Sequence, residues 1–135
     1  MTEPFAPAAL RAALHALDRP PPGEGWNRAQ LADVLPAGTR FAAAAVLVGI
    51  VDREEPTILL TRRTETLATH AGQVSFPGGR IDPGDRDAIA AALREADEEI
   101  GLAAHHVEPL GYLDPFETIS AFRVLPVVAM VRPGF

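Results

Sequence analysis

Residues 78–102 read GGRIDPGDRDAIAAALREADEEIGL and largely decide how the chain is built. A Gly-Gly pair follows the apolar segment QVSF, and a loop rich in Gly, Pro and Asp is predicted over residues 77–87. The alanine-rich segment after it is predicted to be a helix, with Asp85 or Asp87 as the N-cap and Gly101 in the place of the C-cap. A strand, a loop and a helix are therefore expected in this order.

The C-terminal end of this helix carries concentrated negative charge. At about 100° per residue, Glu95, Glu98 and Glu99 share one face, whereas Asp97 points away. Their mutual repulsion and the unfavourable helix dipole destabilise folding by roughly 1–3 kcal/mol in total. A divalent cation would reverse this effect, because clustered oxygen donors are the ligands that Mg²⁺ or Mn²⁺ takes. The alternative is a solvated acidic face, which the charge run alone favours.

The flanking sequence predicts helices before this segment and strands on both sides of it. Leucine spacing predicts an amphipathic helix over residues 7–18, a linker follows, and residues 27–34 suggest a further helical turn or two. Strands are predicted at residues 41–51, 57–63, 73–76, 107–113 and 122–131. The first two form a hairpin, and DPFETIS connects the last two. The predicted fold class is α+β, or mixed α/β.

Composition excludes several classes of function. A chain of 135 residues that is 47% hydrophobic can build one core, and its formal charge of −6 argues against nucleic acid or an anionic membrane as a partner. The absence of cysteine rules out disulfides and thiol nucleophiles. The N-terminus lacks the pattern of a signal peptide, and no apolar run spans a bilayer, so a cytoplasmic protein is expected.

The segment quoted above resembles the signature of the Nudix hydrolases. The matching positions are Gly79, Arg94, Glu95, Ala96, Glu98, Glu99, Gly101 and Leu102. Asp85 stands where the usual pattern has Glu, and eight residues rather than seven separate it from Arg94. Both departures are typical of the coenzyme A diphosphatase branch of this family.

An upstream motif supports the same branch. Residues 59–79 read LLTRRTETLATHAGQVSFPGG and resemble the branch's Leu-Leu-Thr-x-Arg to Phe-Pro-Gly-Gly motif. Thr64 replaces a small Ser or Ala, and Ala68 stands where Arg is expected, which removes one contact to coenzyme A. The resemblance extends over residues 41–132, and Ala121 lies where Gly is common.

The resemblance implies a mixed β-sheet between helices and a metal-dependent hydrolase. It implies Glu95, Glu98 and Glu99 as ligands to Mg²⁺ or Mn²⁺, with the carbonyl of Gly79 as a further donor. Such cations would neutralise diphosphate oxygens and activate water. Either Glu95 or Glu98 would also take the proton of the water, and Arg94 would orient a glutamate.

Several residues are candidates for substrate binding. Arg62, Arg63 and Arg80 are candidates for phosphate contacts, because the guanidinium fork suits phosphate. Neighbouring strand residues face opposite ways, so Arg62 and Arg63 would not line the same pocket face, and Arg63 is favoured. Gly78 would permit close backbone approach, and His70 is a weaker candidate, for which a structural role is the alternative.

Three further side chains have two interpretations each. Glu117 is interpreted as a solvated turn residue, with an extra base or metal contact as the alternative. Phe116 and Tyr112 are expected in the core, with stacking on an adenine as the alternative.

The implied reaction hydrolyses a small-molecule substrate, coenzyme A or a derivative, to 3′,5′-ADP and 4′-phosphopantetheine. The alternatives are another substrate, namely ADP-ribose, a dinucleotide or a nucleoside triphosphate, or a non-catalytic ligand-sensing module. An N-terminal helical extension is expected at residues 1–35 and a Nudix domain at 36–135. That domain normally continues past the last predicted strand, so it is expected to be C-terminally incomplete; otherwise a second subunit, in a homodimer, would supply the missing part.

Overall fold

The computed structural model describes residues 6–62 and 74–135. Its helices are α1 (Pro7–Ala13), α2 (Arg28–Leu31) and α3 (Ala88–Ile100), with a 3-10 turn at Ala104–His106. Its strands are β1 (Ala42–Val51), β2 (Thr57–Ile58), β3 (Thr61–Arg62), β4 (Val74–Ser75), β5 (Gly78–Arg80), β6 (Val107–Tyr112), β7 (Phe116–Glu117) and β8 (Phe122–Val131). None of the helices in these ranges is long and apolar enough to cross a membrane.

The main sheet is mixed. Its centre is the parallel pair β1 and β8, which align from Ala42 opposite Phe122 to Val51 opposite Val131. β2 and β5 pair antiparallel with β1, whereas β6 and β7 pair antiparallel with β8. β3 and β4 form a separate antiparallel pair. The predicted α+β class is confirmed, as is the hairpin of the first two predicted strands.

Apolar side chains on both faces of the sheet explain why it lies between helices. Alternate residues of a strand point to opposite faces, and one set, including Leu47 and Val127, packs on the alanine face of α3. The other set, which includes Ile50 and Met130, packs with Leu10 of α1. The predicted arrangement of a sheet between helices is therefore confirmed.

Both ends of α3 are determined locally, as predicted. The Asp87 carboxylate accepts a hydrogen bond from the backbone N–H of Ala90 at 2.8 Å, so Asp87 is the N-cap rather than Asp85. Gly101 ends the helix in the left-handed conformation at φ +69°, and its N–H donates to the carbonyl of Asp97 at 2.9 Å.

The helix predicted over residues 7–18 is wrong in its second half, because α1 ends at Ala13. His15 instead pairs with the edge of β6, where its N–H donates to the carbonyl of Tyr112 at 3.0 Å and its carbonyl accepts from the Tyr112 N–H at 2.9 Å. Gly111 makes room for this contact, since a Cβ there would lie 2.6 Å from the His15 carbonyl oxygen. A non-local backbone partner thus outweighs the local leucine pattern.

The loop predicted over residues 77–87 is also wrong at its start, because Gly78–Arg80 form β5 against Ala44–Val46 of β1. A Cβ on Gly78 would lie 2.4 Å from the Ala45 carbonyl oxygen. The glycine therefore serves close strand packing rather than a turn.

Two other predicted boundaries differ. The strand predicted at residues 57–63 is divided into β2 and β3, which pair with different partners, and the connection DPFETIS contains the short strand β7.

Ala121, which stands where the resembled pattern commonly has Gly, lies at a position with a physical requirement. Its φ is +67°, and it closes a turn in which its N–H donates to the Thr118 carbonyl at 3.0 Å. Left-handed backbone favours glycine, because a Cβ crowds the following carbonyl. The frequent glycine at this position is thus explained by the turn before β8.

Candidate functional site

The Gly-Gly strand and the acidic end of α3 lie side by side. A Cβ on Gly79 would lie 2.8 Å from the carboxylate carbon of Glu95 and 2.9 Å and 3.0 Å from its two oxygens. The Gly78 N–H donates to Glu99 Oε1 at 3.3 Å. Glu95 and Glu99 therefore both face the backbone of β5. These contacts require glycine at Gly79, because any side chain would displace the Glu95 carboxylate.

Arg94 connects the acids with the loop before α3. Its Nη1 donates to Glu95 Oε1 at 3.0 Å and to both carboxylate oxygens of Glu98 at 3.4 Å. Its Nε and Nη2 form a fork on Asp85, with both distances 2.9 Å. Nη2 also donates to the Arg80 carbonyl at 3.2 Å. One guanidinium thus positions two of the three glutamates.

The Asp85–Arg94 fork keeps both groups charged. Hydrogen bonds from Arg94, and then from the Asp82 N–H, hold the pKa of Asp85 below its usual range. The same carboxylate raises the pKa of Arg94 above its already high ordinary value. Asp85 therefore holds the Arg94 guanidinium that contacts Glu95 and Glu98.

The donor chemistry of the site fits a hard divalent cation. Glu95 and Glu99 present carboxylates to the β5 backbone, and Glu98 shares Nη1 of Arg94 with Glu95. Among residues 6–62 and 74–135, however, no three acidic or histidine side chains already form a group that could hold a metal. The predicted convergence of three carboxylates is thus not found in these ranges, and Arg94 Nη1 pairs with Glu95 and Glu98 instead.

The structure describes some of the substrate-binding candidates. Arg80 lies on β5 directly after Gly79, and its guanidinium stands 5.8 Å from the ring centroid of Phe122. Arg62 lies on β3 and is exposed. Arg63 and His70 lie outside the residues that the structure describes.

The sequence did not indicate that Glu117 is buried, and its interpretation as a solvated turn residue is wrong. It is only 2% exposed and accepts hydrogen bonds from the Gly25 N–H at 2.8 Å and from the Arg28 guanidinium. The bond from Arg28, followed by that from Gly25, lowers the pKa of Glu117 although burial opposes the shift. No local signal in DPFET indicates these partners, because they lie about 90 residues earlier in the chain.

Comparisons with known proteins bear on the family and the fold of the chain. The model of the NUDIX domain matches residues 40–130. A relative from Yersinia enterocolitica, named uncharacterized Nudix hydrolase NudL, is 54% identical over 88 residues, which cover 65% of this chain and 45% of the relative. The chain thus spans about half the length of that relative.

Solved structures agree on the fold. The Ap4A hydrolase of C. elegans in a binary complex superposes with a TM-score of 0.58 at 22% identity, covering 68% of this chain and 67% of the hydrolase. The NUDIX domain of Shewanella oneidensis NrtR, complexed with ADP ribose, has a TM-score of 0.51 at 18% identity and covers 80% and 71% of the two chains. Since the family model matches more than half of its residues, the chain belongs to the NUDIX domain family.

Proposed function

We propose that this protein hydrolyses the diphosphate bond of coenzyme A or its derivatives, giving 3′,5′-ADP and 4′-phosphopantetheine. The observation that carries the hydrolase assignment is the contact of Glu95 and Glu99 with the Gly78–Gly79 backbone. The choice of coenzyme A is supported by the motif at residues 59–79, much of which lies outside the described residues.

In this proposal Glu95, Glu98 and Glu99, with the Gly79 carbonyl, hold Mg²⁺ or Mn²⁺. When bound, the cation supplies positive charge that neutralises the diphosphate oxygens and eases deprotonation of water. The β5 backbone lets the diphosphate approach closely, because neither Gly78 nor Gly79 has a side chain.

The remaining steps belong to residues of this chain. The oxygen of a water forms a bond to one phosphorus, the bridging P–O bond breaks, and Glu95 or Glu98 takes the proton of the water. Arg94 is the positioning residue for both glutamates, since its Nη1 contacts both. Arg63, Arg80 and Arg62 are the proposed phosphate contacts, with His70 as a further one.

Replacing Glu98 tests the metal assignment. We expect Glu98→Gln to lower the rate of hydrolysis with Mg²⁺ by at least about 100-fold, since it removes a charged donor where transition-state charge is stabilised. Asp97→Asn is the matched control, because Asp97 is an exposed acid of the same helical turn that points away from β5. It should retain nearly full activity. Unchanged activity of Glu98→Gln would contradict the assignment.

The substrate is tested separately. Initial rates of the unmodified protein on coenzyme A, ADP-ribose and dGTP should be highest for coenzyme A by a clear margin. A higher rate on ADP-ribose or dGTP would contradict coenzyme A as the preferred substrate and leave the hydrolase assignment intact.

A non-catalytic sensing module is the remaining candidate function. It is disfavoured by the intact set of Glu95, Glu98 and Glu99 at the end of α3, which a module without turnover has no reason to keep. Calorimetric titration of Mg²⁺ with and without nucleotide, together with a product assay, separates the two. Binding without product would support the module.

A further inference from the structure

Trp26 is exposed although the backbone around it is held on both sides. The residue is 65% exposed, yet its backbone N–H donates to the Pro115 carbonyl at 2.9 Å. Asn27 exchanges two hydrogen bonds with the backbone of Glu117, at 2.8 Å and 2.7 Å. Residues 25–28, which we call the strap, are thus held against Pro115–Glu117 by backbone and side-chain hydrogen bonds.

An ion pair between the buried Glu117 and the partly exposed Arg28 fixes the strap further. The Glu117 carboxylate binds both the Gly25 N–H and the Arg28 guanidinium. A Cβ on Gly25 would lie 2.7 Å from Glu117 Cγ, so the two segments are in direct contact. Burying a carboxylate is costly even when it is paired, and such pairs serve conformational specificity in some proteins. Here the result is a large aromatic side chain held in place but left open to solvent.

Trp26 forms one wall of an apolar groove of about 440 Å³. The groove is lined by Trp26, Val46, Val48, Phe76, Leu113, Asp114, Phe116 and Pro126. Three of these side chains are aromatic, and the one charged member, Asp114, is held by His15 through a contact of 2.6 Å.

The groove adjoins the Gly-Gly strand. Val46 pairs directly with Gly78, and a Cβ on Gly78 would lie 2.7 Å from Val46 Cγ1. Phe76 precedes the same glycine by two positions. The groove therefore lies beside Gly78, the first of the two glycines on which the proposed diphosphate would lie.

We propose that the groove binds the purine base of the nucleotide half, with Trp26 stacking on the ring and Asp114 accepting a hydrogen bond from the exocyclic amino group. This inference rests on the proposed function. Aromatic side chains bind planar bases through stacking. The pantetheine half fits less well, because its amides need several hydrogen-bond partners and a mostly apolar groove would leave them unpaired.

The intrinsic fluorescence of the protein tests this directly, because Trp26 is the single tryptophan of the sequence. Titration with 3′,5′-ADP should change the emission saturably, whereas 4′-phosphopantetheine should leave it unchanged. A response to 4′-phosphopantetheine alone, or no response to either compound, would overturn the assignment of the groove. The titration needs no turnover, so its result is independent of whether coenzyme A is hydrolysed.

Variants at Trp26 supply the second readout. Trp26→Ala should raise KM for coenzyme A roughly tenfold or more with kcat little changed, because stacking contributes equally to the bound substrate and the transition state. Trp26→Phe should restore most of the affinity. Val34→Ala is the control, since Val34 is similarly exposed, at 62%, and does not line the groove. An unchanged KM for Trp26→Ala in an active enzyme would contradict the inference and leave the proposed function standing.

Discussion

At the scale of single residues, adjacent glycines have different tasks. Gly78 faces the backbone of β1, where a Cβ would meet the Ala45 carbonyl oxygen at 2.4 Å. Gly79 faces the Glu95 carboxylate, which is the end of a flexible side chain. The first glycine therefore serves the sheet, and the second leaves space for a proposed metal ligand.

This difference predicts opposite effects of two alanine substitutions. Gly78→Ala should lower the free energy of unfolding by roughly 1–3 kcal/mol or more, because the β1 backbone cannot move aside easily. Gly79→Ala should change it little but weaken Mn²⁺ binding, because Glu95 must turn away. Urea unfolding and calorimetric titration of Mn²⁺ measure the two effects.

The control for both variants is Gly84→Ala, since a Cβ there meets nothing within 4 Å. Equal loss of stability in Gly78→Ala and Gly79→Ala, with unaltered Mn²⁺ affinity, would contradict the separation of roles.

The acidic residues show what residue patterns alone predict. Helical geometry correctly placed Glu95 and Glu99 on the side of α3 that faces β5, but the predicted convergence of three carboxylates is not found within the described residues. It did not indicate that Arg94 would bind Glu95 and Glu98 and reach Asp85, because a long side chain chooses among several neighbours. Whether the three glutamates bind one ion remains a prediction.

At the scale of elements, the strap and β7 form a unit held by Glu117. The carboxylate lies between Gly25 and Arg28, whose hydrogen bonds favour its ionised form. The folded protein therefore binds the proton of Glu117 less readily than the unfolded chain does.

A pH dependence of stability follows from this. A lowered pKa in the folded state adds stability above the unfolded pKa of about 4.5, and this contribution is lost as the pH falls through the folded value. Glu117→Gln should therefore be less stable than the unmodified protein at pH 7, and the difference should shrink as the pH is lowered below about 4.5. Urea unfolding of both proteins at several pH values measures this difference in the free energy of unfolding.

Glu108→Gln is the control for this series, because Glu108 forms only an exposed ion pair with Arg11. It should alter the free energy of unfolding by less than about 1 kcal/mol. A stability difference for Glu117→Gln that stays constant from pH 7 to pH 3 would show that ionisation of Glu117 is not its cause.

Helix ends illustrate which elements local sequence predicts well. The caps Asp87 and Gly101 act within one turn of α3, and both were predicted. The end of α1 was missed, because it depends on the pairing of His15 with Tyr112, almost one hundred residues later. β5 was missed for the same reason, since its partner is β1.

At the scale of the whole molecule, close packing of α3 brings the acids to β5. Ala91, Ala92 and Ala96 are completely buried against the sheet, and their small side chains let the helix lie near the strands. The acidic helix end, with Arg94 paired to Glu95 and Glu98, is therefore attached to the core, and a change of charge there affects the stability of the entire fold.

Metal binding should accordingly stabilise the protein against unfolding. Mn²⁺ at about 100 times its dissociation constant is expected to add about 2.7 kcal/mol, because an ion that binds only the folded state shifts the equilibrium towards it. Calorimetric melting with Mn²⁺, and again after removal of the ion by EDTA, measures the change in Tm.

Sodium chloride at the same ionic strength separates specific binding from screening of the acidic charge. Glu98→Gln should lose most of the Mn²⁺ effect, whereas Asp97→Asn should keep it. Equal stabilisation by sodium chloride and Mn²⁺ would contradict a defined metal site.

The sequence alone determined the α+β class, the ends of α3, the central strands and the family, because these depend on periodicity, capping and motif spacing within short stretches. Only the tertiary structure decided that Gly78–Arg80 form a strand, that Arg94 joins Asp85 to the glutamates, and that Glu117 is buried. It alone placed Trp26 beside an apolar groove next to Gly78. These features depend on contacts between segments far apart in the chain, and such contacts leave no periodic trace in the residues that make them.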